Sequence, residues 1–323
     1  MDVPTALALW RGLDALAAAH GKTMRVHLAG GEPFRDWTRL VAIIRAARAA
    51  GLTPVEKVET NAFWAVDDET TRGRLKELDA LGVGKLVVST DVFHQEFVPF
   101  ERVRRCVETA RELFGPGRVL VRWWDFYRQP VDTAALTPVD REAAFRQALA
   151  RHRERLCGRA AERLAPLLPG QPAAAFAGQN CAAEILQSRH VHIDGYGHIY
   201  PGTCAGIILG RAATAATTVT PSRTWPTVQD IWRALAQGWR DHPVVAALAV
   251  GGSHELMLRA RSQGYQELPA GYASKCHLCA DVRRFLVERG LLAAYVGPPE
   301  CYSMLTTPAP GAAACTNSPV AGS

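Results

Sequence analysis

The sequence predicts an α/β protein whose first part is built on a parallel sheet with helices packed against it. Strand-like and helix-like segments alternate regularly up to about residue 125, and glycines follow several of the helical segments. Such alternation predicts parallel strands, because a helix returns the chain to the same end of the sheet before each new strand. The pattern then changes, which predicts a smaller, cysteine-containing C-terminal α+β extension.

Individual segments follow from the spacing of apolar residues and from the residues that begin and end helices. We predict helices over 3–19, 36–50, 67–81 and 101–114, and strands over 24–29, 54–60, 85–89 and 119–123. Farther along, we predict one or two helices over 140–168, a β-hairpin over 190–201, and helices near 227–240, 243–263 and 278–290. A surface loop is expected over 211–224 and a disordered tail over 306–323.

The composition is ordinary for a globular protein. Of the 323 residues, 48% are hydrophobic and 21% charged, and the formal net charge is +6. Lys and Arg are spread along helices, so neither nucleic acid nor a membrane surface is an expected partner. No apolar run is long enough to span a bilayer. Eight cysteines without a secretory signal indicate reduced thiols in a cytoplasmic protein, where clustered cysteines usually bind metal.

Polar motifs lie where three successive predicted strands end. The first strand is followed by Gly-Gly-Glu-Pro at 30–33, in which the glycines permit a tight turn and Glu32 offers a carboxylate to an ammonium group. Asn61 follows the second strand, and Ser89 and Asp91 follow the third. Because the carboxyl ends of parallel strands meet at one edge of a sheet, we expect these groups to lie close together.

In this order, the three motifs resemble those of the radical-SAM superfamily, which binds S-adenosylmethionine (SAM). The resemblance covers about residues 1–125 and implies a partial (β/α)6 TIM-like barrel. It also implies reductive cleavage of SAM at a [4Fe-4S] cluster, hydrogen abstraction by a 5′-deoxyadenosyl radical, and a flavodoxin or ferredoxin as electron donor. The residues implied to contact SAM are Gly30, Gly31, Glu32, Asn61, Ser89, Asp91 and Arg122.

One motif of that family is absent from the sequence. The family binds its SAM-cleaving cluster through a Cys-x3-Cys-x2-Cys loop before the first helix, whereas the first cysteine here is Cys106. Two explanations are open: the sequence begins after that loop, or the protein is a relative that no longer cleaves SAM. Under either explanation, we expect the chain as written to hold SAM without cleaving it.

A second group of residues with metal-binding spacing lies in the C-terminal part. Cys276 and Cys279 form a Cys-x2-Cys pair, whose spacing allows two thiolates to bind one metal. Cys181 and Cys204 flank the predicted hairpin, and six residues separate Gly197 from Cys204. The four thiols resemble the SPASM/Twitch extension of radical-SAM enzymes, although four residues are usual at that last spacing. The resemblance implies one auxiliary [4Fe-4S] cluster on these cysteines and a peptide substrate.

The same resemblance divides the chain into a barrel-like part at 1–180, an auxiliary-cluster region at 181–305 and the tail. Alternatives remain open for the thiols. They could hold a structural Zn²⁺, or no metal, in a non-catalytic barrel that binds a peptide or a protein partner. Cys301 could be a further ligand, whereas we expect Cys106, Cys157 and Cys315 to be structural or incidental.

A third hypothesis treats the protein as a TIM-barrel lyase or epimerase that uses Glu32 and Asp91 as acid and base. It leaves the C-terminal cysteines unexplained and ranks last.

Several other polar residues have two possible roles. His94 and Gln95 could contact SAM or substrate, or could cap the next helix. Arg122 lies in an apolar strand and needs a partner, which could be a carboxylate of SAM or substrate or an acid of the barrel. His192 and His198 are expected to be surface or packing residues.

Overall fold

The computed structural model describes residues 1–188, 190–202, 204–212, 224–225, 238–299 and 302. The chain divides into two compact units, each built from separate stretches of sequence. The first comprises Met1–Glu154, Ser188–Thr203 and Leu209–His242; the second comprises Arg155–Gln187, Cys204–Ile208 and Pro243–Ser323. The domain limits implied by the family resemblance stay a prediction.

A parallel four-stranded sheet forms the centre of the first unit. Its strands are β1 (Val26–Leu28), β2 (Val55–Thr60), β3 (Lys85–Ser89) and β4 (Val119–Arg122), in the order β1-β2-β3-β4. All three neighbouring pairs are parallel. The predicted α/β class with parallel strands is therefore confirmed, and the carboxyl ends of the strands share one edge.

Several helices of this unit begin where a short polar side chain caps them. They are α1 (Val3–Ala19), α2 (Trp37–Ala49), α3 (Asp68–Ala80), α4 (Val92–Gln95), α5 (Phe100–Phe114), α6 (Trp124–Arg128) and α7 (Pro138–Arg151). The side chains of Asp2, Asp36, Asp67 and Asp91 accept hydrogen bonds from backbone N–H groups of α1, α2, α3 and α4. The predicted bounds of the first four long helices are confirmed to within two residues.

Helices α2, α3 and α5 contribute to one apolar core with the sheet. Val58 of β2, Leu75 of α3, Leu86 of β3 and Val107 of α5 are fully buried in this core. Successive residues of a strand point to opposite faces, and buried and more exposed positions alternate along β4 and in β2 from Lys57 to Thr60. The face opposite the core therefore carries polar groups, among them Glu59 and Arg122.

A second sheet contains the strands β5 (Val191–Ile193), β6 (His198–Pro201), β7 (Gly210–Ala212) and β8 (Thr224–Trp225), in that order. Strands β5 and β6 are antiparallel, which confirms the predicted hairpin. The Asp194 carboxylate stabilises the turn by accepting from the backbone N–H of Tyr196 and His198 and from the Tyr200 hydroxyl.

The second unit is mainly helical, with α8 (Arg159–Arg163), α9 (Ala182–Leu186), α10 (Pro243–Val250), α11 (Gly252–Arg261) and α12 (Lys275–Glu288). The prediction of one helix over 243–263 is wrong. The chain turns at Gly252, whose φ is +72° and where a Cβ would lie 2.1 Å from the backbone oxygen of Gln179. This close approach of two backbone segments cannot be inferred from helical periodicity.

The predicted tail over 306–323, most of the predicted loop over 211–224 and most of the predicted helix over 227–240 lie outside the described residues. Within the described segments, none of the helices has both the length and the apolar character needed to cross a membrane.

Candidate cofactor-binding sites

The turn after β1 is built by two glycines with left-handed backbone conformations. The φ angles are +90° at Gly30 and +54° at Gly31, a region that residues with a Cβ rarely adopt. An added Cβ at either position would meet no atom within 4 Å. The glycines are therefore required by the backbone, and open space beside them allows a ligand to approach the chain.

Glu32 connects this turn to the end of β2. Its Oε1 accepts from Thr60 Oγ1 at 2.8 Å and from the backbone N–H of Phe34 at 3.1 Å, and its Oε2 accepts from the backbone N–H of Asn61 at 2.7 Å. Burial raises the pKa of Glu32, although these three hydrogen bonds and the charge of His94 oppose the rise. Glu32 thus has a structural role, and the predicted proximity of the first two motifs is confirmed in its contact with Asn61.

A carboxylate has about four lone-pair directions, and the described contacts of Glu32 use three of them. The one that remains is on Oε2, the oxygen that accepts only from Asn61. An ammonium group could donate to this oxygen without displacing a protein donor.

The third strand end carries a paired carboxylate and imidazole. Asp91 accepts from the backbone N–H of His94 at 3.0 Å, and its Oδ2 lies 2.7 Å from His94 Nδ1. Burial is the largest influence on both groups, yet their mutual attraction outweighs it, so the pKa of Asp91 is lowered and that of His94 is raised. The charges of Glu59 and Glu32 also raise the pKa of His94, which places four titratable groups at this edge of the sheet.

Arg122 pairs with an acid of the sheet, one of the two roles that the sequence left open. Its Nη1 lies 3.0 Å from Glu59 Oε1, while His27 Nε2 lies 3.3 Å from Glu59 Oε2. The His27 imidazole lowers the pKa of Glu59 most, and Arg122 adds to this effect against the opposing influence of burial. Sequence reasoning did not select His27 or Glu59, because their proximity depends on the order of the strands.

Other predicted residues are positioned by the same sheet. Ser89 is buried at the end of β3, opposite Arg122 in the register with β4. Gln95 is structural: its Nε2 donates to the backbone oxygen of Thr90 at 2.8 Å, and its Oε1 accepts from the backbone N–H of Val131. The described contacts do not join Asp91 directly to Glu32 or Asn61.

In the second unit, side chains of α12 contact the other segments that carry cysteines. Cys276 and Cys279 lie in its first turns. Lys275 Nζ donates to the backbone oxygen of Asn180, next to Cys181, at 3.1 Å, and to Glu184 Oε1 of α9 at 2.8 Å.

A side chain of α12 also contacts the segment that carries Cys204. Buried Arg283 donates from Nη1 to the backbone oxygen of Ala205 at 2.6 Å. Arg155 Nη1 contacts Cys204 Sγ at 3.7 Å.

These thiols are close enough to influence one another electrostatically. Burial raises the pKa of Cys181 to about 12 and that of Cys204 to about 11, and Cys279 adds to both increases. Burial likewise raises the pKa of Cys276, and Cys157 contributes to the increase. Cys157, for which the sequence predicted a structural role, therefore belongs to the same cluster of thiols.

The donor types and their surroundings fit a thiolate-bound metal or cluster. Lys275, Arg155 and Arg283 supply positive charge that would stabilise thiolates, and an N–H to sulfur contact is a common feature around iron–sulfur clusters. The positions fit less well, because no three His, Cys, Asp or Glu side chains among the described residues are arranged to hold one metal ion. The four sulfurs would have to move closer together to form a ligand set.

The remaining cysteines differ in their surroundings. Cys106 is fully buried in the core of the first unit, and burial strongly raises its pKa, in agreement with a structural role. Cys301 and Cys315 lie outside the described residues.

Comparison with known proteins gives no independent assignment. No protein-family model matches the chain, and no curated protein matches it.

Proposed function

We propose that the chain forms the SAM-binding part and the auxiliary-cluster part of a radical-SAM enzyme that acts on a peptide. The observation that carries this proposal is the junction of the Gly30–Gly31 turn with the end of β2 through Glu32. The sequence resemblance supplies the family, and the open space beside the turn supports a ligand at this edge. The proposal includes a partial (β/α)6 barrel, of which the parallel sheet would be the described part.

In the proposed site, the turn and Glu32 bind the amino-acid end of SAM. Glu32 Oε2 accepts from the ammonium group, while the hydrogen bonds from Thr60 and Asn61 fix the carboxylate in place. Asn61, Ser89 and Asp91 border the remainder of the ligand. Arg122 keeps Glu59 ionised and presents a half-exposed guanidinium to a carboxylate of SAM or substrate.

The protein's contribution is binding, orientation and exclusion of water. A [4Fe-4S] cluster, when bound, would supply the electron that cleaves SAM, and its three family cysteines are not part of this sequence. The residues of this chain are therefore proposed to hold SAM in position for that chemistry.

The lyase or epimerase hypothesis is not supported by the contacts. Asp91 caps α4 and pairs with His94, and Glu32 accepts three hydrogen bonds from the fold. Both carboxylates thus position the backbone, and the lone-pair direction that remains on Glu32 Oε2 is the one that the proposed ammonium group uses.

SAM binding tests the proposal directly. Isothermal titration of the full chain with SAM under anaerobic conditions should show binding that weakens about 10- to 150-fold in Glu32→Gln, because one charge-assisted hydrogen bond is worth about 1.5–3 kcal/mol. The control is Glu69→Gln, an exposed carboxylate at the start of α3, which should bind like the wild type. Absence of SAM binding, or equal binding by both variants, would contradict the proposal.

Metal content tests the second part of the proposal. Anaerobic reconstitution with iron and sulfide should give about four irons per chain, and the Cys276→Ser/Cys279→Ser variant should lose them. One zinc and no iron would instead favour the non-catalytic, zinc-containing alternative.

A further inference from the structure

The proposed SAM site does not explain a pair of histidines at the hairpin, His192 in strand β5 and His190 directly before it. His190 and His192 are separated by one residue, and side chains at this spacing lie on the same face of a strand. The Nε2 atoms of the two rings are 3.1 Å apart, and the ring centroids are 4.5 Å apart. The two Nε2 atoms are therefore closer to each other than the ring centres are.

The separation of the two nitrogens fits a shared metal. Two nitrogens bound to tetrahedral zinc at about 2.0–2.1 Å lie about 3.3 Å apart. The observed separation is within a few tenths of an ångström of this value. The competing explanation is a single N–H···N hydrogen bond between the rings, which needs one imidazole to act as donor and the other as acceptor.

The backbone holds the two rings in register. His192 pairs with Tyr200 of β6, and the backbone oxygen of His190 accepts from the N–H of Gly202 at 2.8 Å. The Ser188 hydroxyl also donates to this oxygen, at 3.0 Å. The chelating geometry is thus set by the hairpin and does not depend on the SAM site.

Two groups of the parallel sheet lie near the pair. The charge of Glu59 acts on the His192 imidazole, and Glu59 Oε2 lies 3.3 Å from the Nε2 of His27. An anionic carboxylate near the pair is a group that a cation attracts.

We propose that His190 and His192 form a bidentate site for an exchangeable divalent transition metal such as Zn²⁺, Ni²⁺ or Cu²⁺. The preference for these ions follows from imidazole ligation. With two protein ligands, the metal keeps positions open for water or for an oxygen of a bound molecule. This open coordination agrees with the lack of any three-residue metal-binding group in the part of the chain that the structure describes.

Titration with Co²⁺ distinguishes this site from the thiols of the second unit, because thiolate ligation gives an intense near-ultraviolet charge-transfer band that imidazole ligation lacks. The full-length wild type should bind Co²⁺ with visible d–d bands that persist after the thiols are blocked by alkylation. The affinity for Co²⁺, measured from these bands, should fall by at least about tenfold in His190→Ala and in His192→Ala. The matched control is His20→Ala, an exposed histidine at the end of α1.

A second measurement does not depend on the variants folding. Co²⁺ added to the alkylated wild type should selectively broaden and shift the imidazole proton resonances of two histidines. The proposal is overturned if Co²⁺ binding is the same in His190→Ala and His192→Ala as in the wild type, or if alkylation removes all bound Co²⁺. It is equally overturned if no histidine resonance responds.

Discussion

At the scale of single residues, the edge of the parallel sheet is organised by carboxylates that are already hydrogen-bonded. Glu32 fixes the glycine turn to β2, Asp91 caps α4, and Glu59 lies between His27 and Arg122. A carboxylate held in this way needs little reorganisation when a cation binds, because its orientation is already fixed. The ligand binding proposed for this edge would therefore depend on residues that also stabilise the fold.

The Asp91–His94 pair predicts a specific dependence of stability on pH. The folded-state pKa of His94 is raised above its ordinary value of 6.5, so the stabilisation is fully present below pH 6.5 and is lost as the pH rises through the folded-state pKa. Asp91 has a lowered pKa, so its contribution is lost as the pH falls below 3.8 and through the folded-state pKa. His94→Gln should cost about 0.5–1 kcal/mol at pH 5–6, a small amount because the imidazole is half-exposed.

Urea unfolding at a series of pH values measures this effect. The difference in free energy of unfolding between the wild type and His94→Gln should shrink above the folded-state pKa of His94. The exposed-site variant His20→Gln should show no such trend. A difference that stays constant from pH 5 to pH 9 would show that the charge of His94 does not stabilise the fold.

At the scale of secondary-structure elements, the break between α10 and α11 depends on one close contact. Gly252→Ala would place a Cβ 2.1 Å from the backbone oxygen of Gln179 at a residue whose φ is +72°. Gly290 has a similar φ of +65°, but a Cβ there would meet no atom within 4 Å. Gly290→Ala should therefore cost about 1–2 kcal/mol from backbone strain alone, whereas Gly252→Ala should cost about 2–5 kcal/mol because overpacking is added.

The free energies of unfolding of the two variants, measured in urea, give the comparison. Equal losses of unfolding free energy in the two variants would mean that the segment around Gln179 moves away without cost. The contact with Gln179 would then not be what separates α10 from α11.

Element boundaries in the first unit could be predicted because the signals are local. The spacing of apolar residues and the capping aspartates before α2, α3 and α4 can be recognised from neighbouring residues in the sequence. The helix break at Gly252 could not be predicted, since it depends on a contact with residue 179, far away in the sequence.

The candidate sites could be predicted only in part for the same reason. Glu32 and Asn61 follow consecutive strands, so their proximity follows from a parallel sheet. The contact of Glu59 with Arg122 requires the strand order, and the membership of Cys157 in the thiol cluster requires the packing of the second unit. The sequence alone predicts a surface or packing role for His192 and does not select His190, because the distance between their rings becomes known only from the structure.

At the scale of the whole molecule, thiols of the second unit are protonated at neutral pH and must lose their protons before they can bind a metal. The pKa is about 12 at Cys181 and about 11 at Cys204, so both groups are neutral at pH 7. A metal bound by thiolates must displace these protons, and each displaced proton makes the apparent affinity about tenfold higher per pH unit. Cd²⁺ affinity should therefore rise steeply between pH 6.5 and 8.5, with protons released into a weakly buffered solution.

Cys106→Ala supplies the control for this measurement, because Cys106 is buried in the core of the first unit. The number of protons released on Cd²⁺ binding by Cys106→Ala should equal the number released by the wild type. Metal uptake without proton release, or with release that Cys276→Ser leaves unchanged, would show that these thiols are not the ligands.

The stacked pair of Phe34 and Trp64 gives this protein a built-in optical reporter. The two rings are parallel to within 1° with centroids 4.3 Å apart, and Trp64 Nε1 donates to Thr60 Oγ1, which in turn donates to Glu32. A cation that binds Glu32 would alter the electric field at the indole through this chain of hydrogen bonds. Because the chain has eight tryptophans, a change in emission on SAM addition that Trp64→Phe removes would report occupancy of the glycine turn without a label.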